Sequence, residues 1–82
     1  MNRENEVARI GLAVANALKY RREALKMSKN GLAQKAGVSV QSVSFIENSV
    51  NSPSLSTFLR LCGALEVSPD AVLREAIGKE SR

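Results

Sequence analysis

Few side chains in this 82-residue chain can do chemistry, and their types narrow what that chemistry is. There is no histidine, and the one cysteine, Cys62, falls on the apolar stripe of a predicted helix. No nucleophile–base pair and no zinc-binding cluster can be drawn from such a set. No enzyme activity, metal or cofactor is therefore expected. A lone cysteine cannot form an intramolecular disulfide, and a reducing cytoplasm is the expected location. What remains is amide, hydroxyl and cation chemistry. Six bases between Lys19 and Lys35 (Lys19, Arg21, Arg22, Lys26, Lys29, Lys35) face one acid, Glu23. That stretch carries +5, residues 1–18 balance, and residues 36–82 carry −1, for a net +4 and a pI near 9.7. The excess suits an anionic partner, although a solvated face would carry the same charges.

These groups need elements to hold them, and the informative stretch is residues 32–48, LAQKAGVSVQSVSFIEN. Leu32, Ala33 and Ala36 recur at helical spacing, and Gly37 supplies a left-handed residue that ends a helix. Val38 then serves as a plug, Ser39 as a cap, and Val40, Val43 and Ile46 recur every three residues to start a second helix. Two short helices joined by a glycine-bearing turn form the helix-turn-helix arrangement, whose second helix enters the DNA major groove. An ordinary αα-hairpin in a small bundle fits the same spacing.

The order of motifs goes further. Arg22, Met27-Ser28, Leu32-Ala33, Gly37-Val38-Ser39, Glu47, Pro53 and Ala64-Leu65-Glu66-Val67 follow one another over Leu18–Leu73. This run resembles the Cro/C1-type (XRE, lambda-repressor-like) helix-turn-helix family of phage and bacterial repressors. The resemblance implies an all-α, five-helix domain that binds double-stranded DNA. It implies base contacts from Val40, Gln41, Ser44 and Phe45. Gln41 has an amide that can donate to and accept from adenine together, while Val40 and Phe45 offer only apolar contact to a thymine methyl. For Phe45, a place in the core beside Ile46 is the rival expectation. It implies phosphate contacts from Ser28, Lys29, Ser39, Asn48, Asn51 and Ser52, with helix-end amides assisting; ordinary turn chemistry accounts for the loop residues equally well. It also implies a salt bridge from Arg22 to Glu47 that fixes the recognition helix and leaves one guanidinium N–H for a phosphate.

The surrounding elements follow from periodicity and caps. Residues 1–5 are expected to be disordered, residues 6–78 to form the domain, and residues 79–82 to be a loose tail. A first helix is expected over about Glu6–Leu25, with Val7, Ile10, Val14, Ala17, Leu18 and Leu25 inward. Lys26 must make the turn that a glycine often makes, at some cost. Ser28 caps a second helix, within which Gly31 costs about 1 kcal/mol against alanine. After the third helix, Ser49 stands where a glycine is usual, with Asn48 able to take the left-handed conformation instead. Ser54 starts a fourth helix with Leu55, Phe58, Leu59, Cys62 and Leu65 inward. Ser68-Pro69-Asp70 starts a fifth that stops at Gly78.

With 44% hydrophobic and 4% aromatic residues, the core must be aliphatic. No apolar run is long enough for a membrane span, and no secretory leader is expected. The expected function is a sequence-specific regulator, a repressor, acting as a homodimer because one helix reads only a few base pairs. A restriction-modification controller or an antitoxin would use the same surface. From another class, a protein-interaction module on this scaffold stays open, since Glu47 is the sole ionised side chain between Ala36 and Leu59.

Overall fold

Four serines, the last followed by a proline, start the helices after the first, and four left-handed residues end the helices before the last. The computed structural model describes residues 3–80, through which five helices run: α1 (Arg3–Ala24), α2 (Lys29–Ala36), α3 (Val40–Glu47), α4 (Leu55–Leu65) and α5 (Pro69–Glu80). Ser28, Ser39 and Ser54 are the N-caps of α2, α3 and α4, their hydroxyls accepting from the N–H groups of Gly31, Ser42 and Thr57 at 2.9–3.1 Å. Ser68 does the same for Ala71 at 3.3 Å, ahead of Pro69 in the first turn of α5. Asp70 lies beside it, and hydrogen bonding to Ser68 holds its carboxyl below the usual carboxylate range.

The helix stops share one geometry. Lys26 (φ 57°), Gly37 (φ 74°), Ser49 (φ 60°) and Glu66 (φ 58°) are all left-handed. In each case the next residue, Met27, Val38, Val50 or Val67, donates its N–H to the carbonyl five residues back, at 2.8–3.1 Å. This double-bonded stop satisfies carbonyls that the helix would otherwise strand. Three of the four positions are not glycine, so each carries a steric cost of about 1 kcal/mol. Asn48 has φ −89°, so the left-handed residue after α3 is Ser49 and not Asn48. Gly31 has a local reason: a Cβ there would stand 3.2 Å from the Ser28 hydroxyl that caps the helix.

Two ends differ from expectation. α1 begins at Arg3, because Glu4 and Glu6 in its first turn complement the positive helix end. α5 runs through Gly78 to Glu80, since no left-handed turn forms at that glycine. Met1, Asn2, Ser81 and Arg82, the outermost residues of the segments expected to be loose, lie outside the described residues.

α5 packs mainly along α1, while α2 packs on α3 and α4. Val14, Leu18, Leu32, Val43, Ile46, Phe58, Leu61, Leu65, Val72 and Ala76 meet in one core. Each large member contributes about 1.5–3 kcal/mol by leaving water. The buried stripe of α4 is Phe58, Leu61, Cys62, Ala64 and Leu65, whereas Leu55 and Leu59 are exposed. Val7 and Leu25, expected inward on α1, are also exposed, and Ala15 is buried in their stead. Among the described residues no helix is long and apolar enough to cross a membrane.

Candidate nucleic-acid interface

α3 is seated on α2 and α1, and its seating decides which side chains it presents. Val43, Ile46 and Glu47 are buried beneath it. Val40, Gln41 and Phe45 are exposed on the other side, with Ser44 half-buried beside them. Positions 40, 41, 44 and 45 are helical neighbours, so these four form one continuous outer face. Phe45 is on the open side and is not a core residue. It lies by Asn51, Ser52 and Pro53, in the loop after α3, and its carbonyl accepts the N–H groups of Val50 and Asn51 at 2.8 and 3.3 Å.

The Arg22–Glu47 pair locks the far end of this helix. Nε and Nη2 of Arg22 donate to the two carboxylate oxygens of Glu47 at 2.6 and 3.0 Å, a bidentate contact between two buried residues. Hydrogen bonding to Glu47 raises the Arg22 pKa above the ordinary arginine value, against the opposing effect of burial. Nη1 donates to the Met27 carbonyl at 2.7 Å. Three of its five N–H groups are engaged in this way, so one guanidinium joins α1, the α1–α2 turn and α3.

The phosphate candidates divide by what their polar atoms already do. Ser28 accepts from Gly31 and keeps its O–H, at the N-terminal end of α2. Lys29 next to it is half-buried and makes no ion pair among the described residues. Ser39 accepts from the Ser42 N–H at 3.0 Å and donates to the Ser42 hydroxyl at 2.9 Å, so it is a cap without a free donor. Asn48, Asn51 and Ser52 are exposed together in the loop after α3.

The basic run is smaller at the surface than in the sequence. Arg22 is spent on Glu47, and Lys35 pairs with Glu66 at 3.2 Å. Arg21 donates from Nε to the Leu65 carbonyl at 3.0 Å, closing the end of α4. Lys19, Lys26 and Lys29 remain without an ion pair among the described residues. One cation had no expected role: the Arg60 guanidinium lies over the turn between α2 and α3, where a Cβ on Gly37 would come within 3.2 Å of its Nη1. Its only sequence signal is that it is the sole base between Ala36 and Val72.

A short seated helix, an open outer face and a tight glycine turn before it define a helix-turn-helix domain. Residues 18–72 match the model of the helix-turn-helix family, and the chain belongs to that family, the DNA-binding regulators of Cro/C1 (XRE) type. A search of curated proteins finds no match to the chain. The first fifteen residues of α1 and the last turns of α5 lie outside the matched stretch.

Proposed function

We propose that the protein is a sequence-specific transcriptional regulator, acting as a repressor, that reads the major groove of double-stranded DNA as a homodimer. Gln41 contacts an adenine edge, Val40 and Phe45 pack on thymine methyls, and Ser44 supplies a hydroxyl beside them. Ser28, Lys29, Asn48, Asn51 and Ser52 hold phosphates on either side of α3, with Ser39 keeping the amides at its start in place. The observation that carries this reading is the exposure of Gln41 on a helix whose opposite side is fully buried. The apolar neighbours of Gln41 favour a T-containing half-site. The site of action is the cytoplasm, and a restriction-modification controller or an antitoxin would work through the same contacts.

Selection of binding sites from a random duplex pool, followed by gel shifts at two salt concentrations, tests this. The expected result is one enriched motif, with binding that falls steeply as salt rises. Gln41→Ala should lose about 1–3 kcal/mol of discrimination at one base pair while binding to unrelated DNA stays the same. No enrichment, with a protein retained on Val40 and Phe45, would replace the reading with a protein-interaction module.

A further inference from the structure

The loop after α3 carries two asparagine–serine pairs, Asn48-Ser49 and Asn51-Ser52, and α2 carries an asparagine–glycine pair, Asn30-Gly31. Such pairs are chemically labile. The backbone nitrogen of the following residue can attack the side-chain amide carbon, and a small following residue, glycine first and serine next, obstructs that approach least. By residue type, Asn30 is the most reactive asparagine of the chain. The fold decides otherwise.

Attack needs a backbone nitrogen that is unengaged and able to turn toward the side chain. Asn30 sits in the first turn of α2, and the Gly31 N–H after it donates to the Ser28 hydroxyl at 2.9 Å. Helical backbone angles also keep that nitrogen turned away from the side chain. After Asn48, the Ser49 N–H donates to the Ile46 carbonyl at 3.0 Å, and Ser49 is the left-handed residue that closes α3. Asn5 and Asn16 lie within α1. Asn51 differs in each respect. It lies between α3 and α4, it is exposed, and its side-chain amide makes no hydrogen bond among the described residues. Ser52 is exposed beside it, and the Ser52 N–H is likewise without an acceptor among the described residues.

We propose that Asn51 is a site of spontaneous deamidation, which turns the uncharged loop after α3 acidic. The Ser52 backbone nitrogen forms a bond to Cγ of Asn51 and gives up its proton to water. The bond from Cγ to Nδ2 breaks, and the nitrogen takes a proton and leaves as ammonia. A cyclic imide results. Water then adds to either carbonyl of the imide and reopens the ring, leaving an aspartate or an isoaspartate. One water is consumed, one ammonia is released and one negative charge appears, with no enzyme, oxidant or metal required.

The consequence for binding rests on the DNA reading proposed above. Asn51 is exposed together with Asn48 and Ser52, the loop residues assigned there to phosphates. A carboxylate among them offsets one of the cations that meet the backbone. Binding then releases about one counterion fewer, so at about 0.1 M salt affinity falls about eightfold for every sequence alike. Discrimination through Gln41 is unchanged.

Ageing the full chain in mildly alkaline buffer, folded and in concentrated urea, followed by mass mapping of its peptides, tests the site. In the folded protein Asn51 is expected to exchange NH2 for OH well ahead of Asn30 and Asn48. In urea the order reverses and Asn30 leads. Asn30 or Asn48 reacting as fast as Asn51 in the folded protein, or Asn51 leading in urea as well, would overturn the assignment. Gel shifts on a mixed-sequence duplex at about 0.1 M salt read the consequence. Asn51→Asp should show the eightfold loss at once, and Asn51→Gln, whose longer side chain closes the ring far more slowly, should keep its affinity on ageing. Both changes lie at an exposed loop position, and far-UV spectra check that the helices persist. Modified Asn51 with affinity unchanged would overturn the effect on binding. A fresh wild type that binds no duplex removes the regulator and leaves the modification site standing.

Discussion

Removing the carboxylate of Glu47 is the sharpest test of how the recognition helix is held. In Glu47→Ala, Arg22 loses the two bonds at 2.6 and 3.0 Å and keeps the one to the Met27 carbonyl at 2.7 Å. Its side chain is only 10% exposed, and Glu23, at 3.9 Å and in solvent, is a poor substitute. Stranding one partner of a buried pair typically costs about 3–5 kcal/mol. The retained carbonyl bond and residual exposure place this case near the lower end, about 3 kcal/mol. Against the roughly 4–12 kcal/mol expected for a domain of this size, that is a large share. Each kcal/mol shifts the melting temperature of such a domain by about 4–8 °C, so a fall of about 10–25 °C is expected in thermal melts followed by circular dichroism. Because the Glu47 side chain is 3% exposed, about 0.5 M salt should leave most of the difference. Replacing both partners with apolar residues of similar volume, as in Arg22→Met with Glu47→Leu, should recover most of the loss. A Glu47→Ala protein that melts within about 2 °C of wild type would refute the account.

The helix stops and the remaining side chains give three further expectations. Lys26→Gly and Ser49→Gly should each gain about 0.5–1 kcal/mol by relieving left-handed backbone, and Gly37→Ala should lose about as much; denaturant titration reads all three. Burial pushes the Cys62 thiol up, and the side chain is fully enclosed. It should resist thiol reagents near pH 8 until the protein unfolds. The sign of its pH effect follows: folding favours the neutral thiol, so stability from this group is complete below the thiol's ordinary pKa and falls as pH rises toward the elevated one, which melts in alkaline buffers would detect. Lys29→Ala should weaken DNA binding similarly for all sequences and lower the slope of log affinity against log salt by about 0.9.

Much of the fold was legible because local chemistry dictates it. Ser28, Ser39, Ser54 and Gly37 act where their types require, and Arg22 and Glu47 meet as the order of motifs implied. The rest depended on tertiary choice. α4 has seven apolar residues among its eleven, so periodicity alone could not say whether Leu59 or Leu61 turns inward. Asn48 has the better intrinsic tolerance for a left-handed backbone, yet the bonds from Ser49 to Ile46 and from Val50 to Phe45 place the turn one residue later. Glu66, left-handed at the end of α4, gave no signal of its kind. At the candidate interface, residue types pointed to Gln41, which the fold leaves exposed, while the ion pairs and carbonyl contacts that occupy Lys35 and Arg21 needed three dimensions.

The guanidinium that joins three segments also makes α3 a lever. Eight residues span about 12 Å, clamped at the Glu47 end and steadied at the other by a serine cap. A rotation of roughly 10° about the clamp would carry Val40 and Gln41 about 2 Å sideways, well beyond the tolerance of a hydrogen bond to a base edge. The aim of the outer end is thus governed by a pivot at the opposite end of the helix. Variants near Arg22 or Met27 that leave the outer face untouched should blur which sequences are chosen before they abolish attachment to DNA.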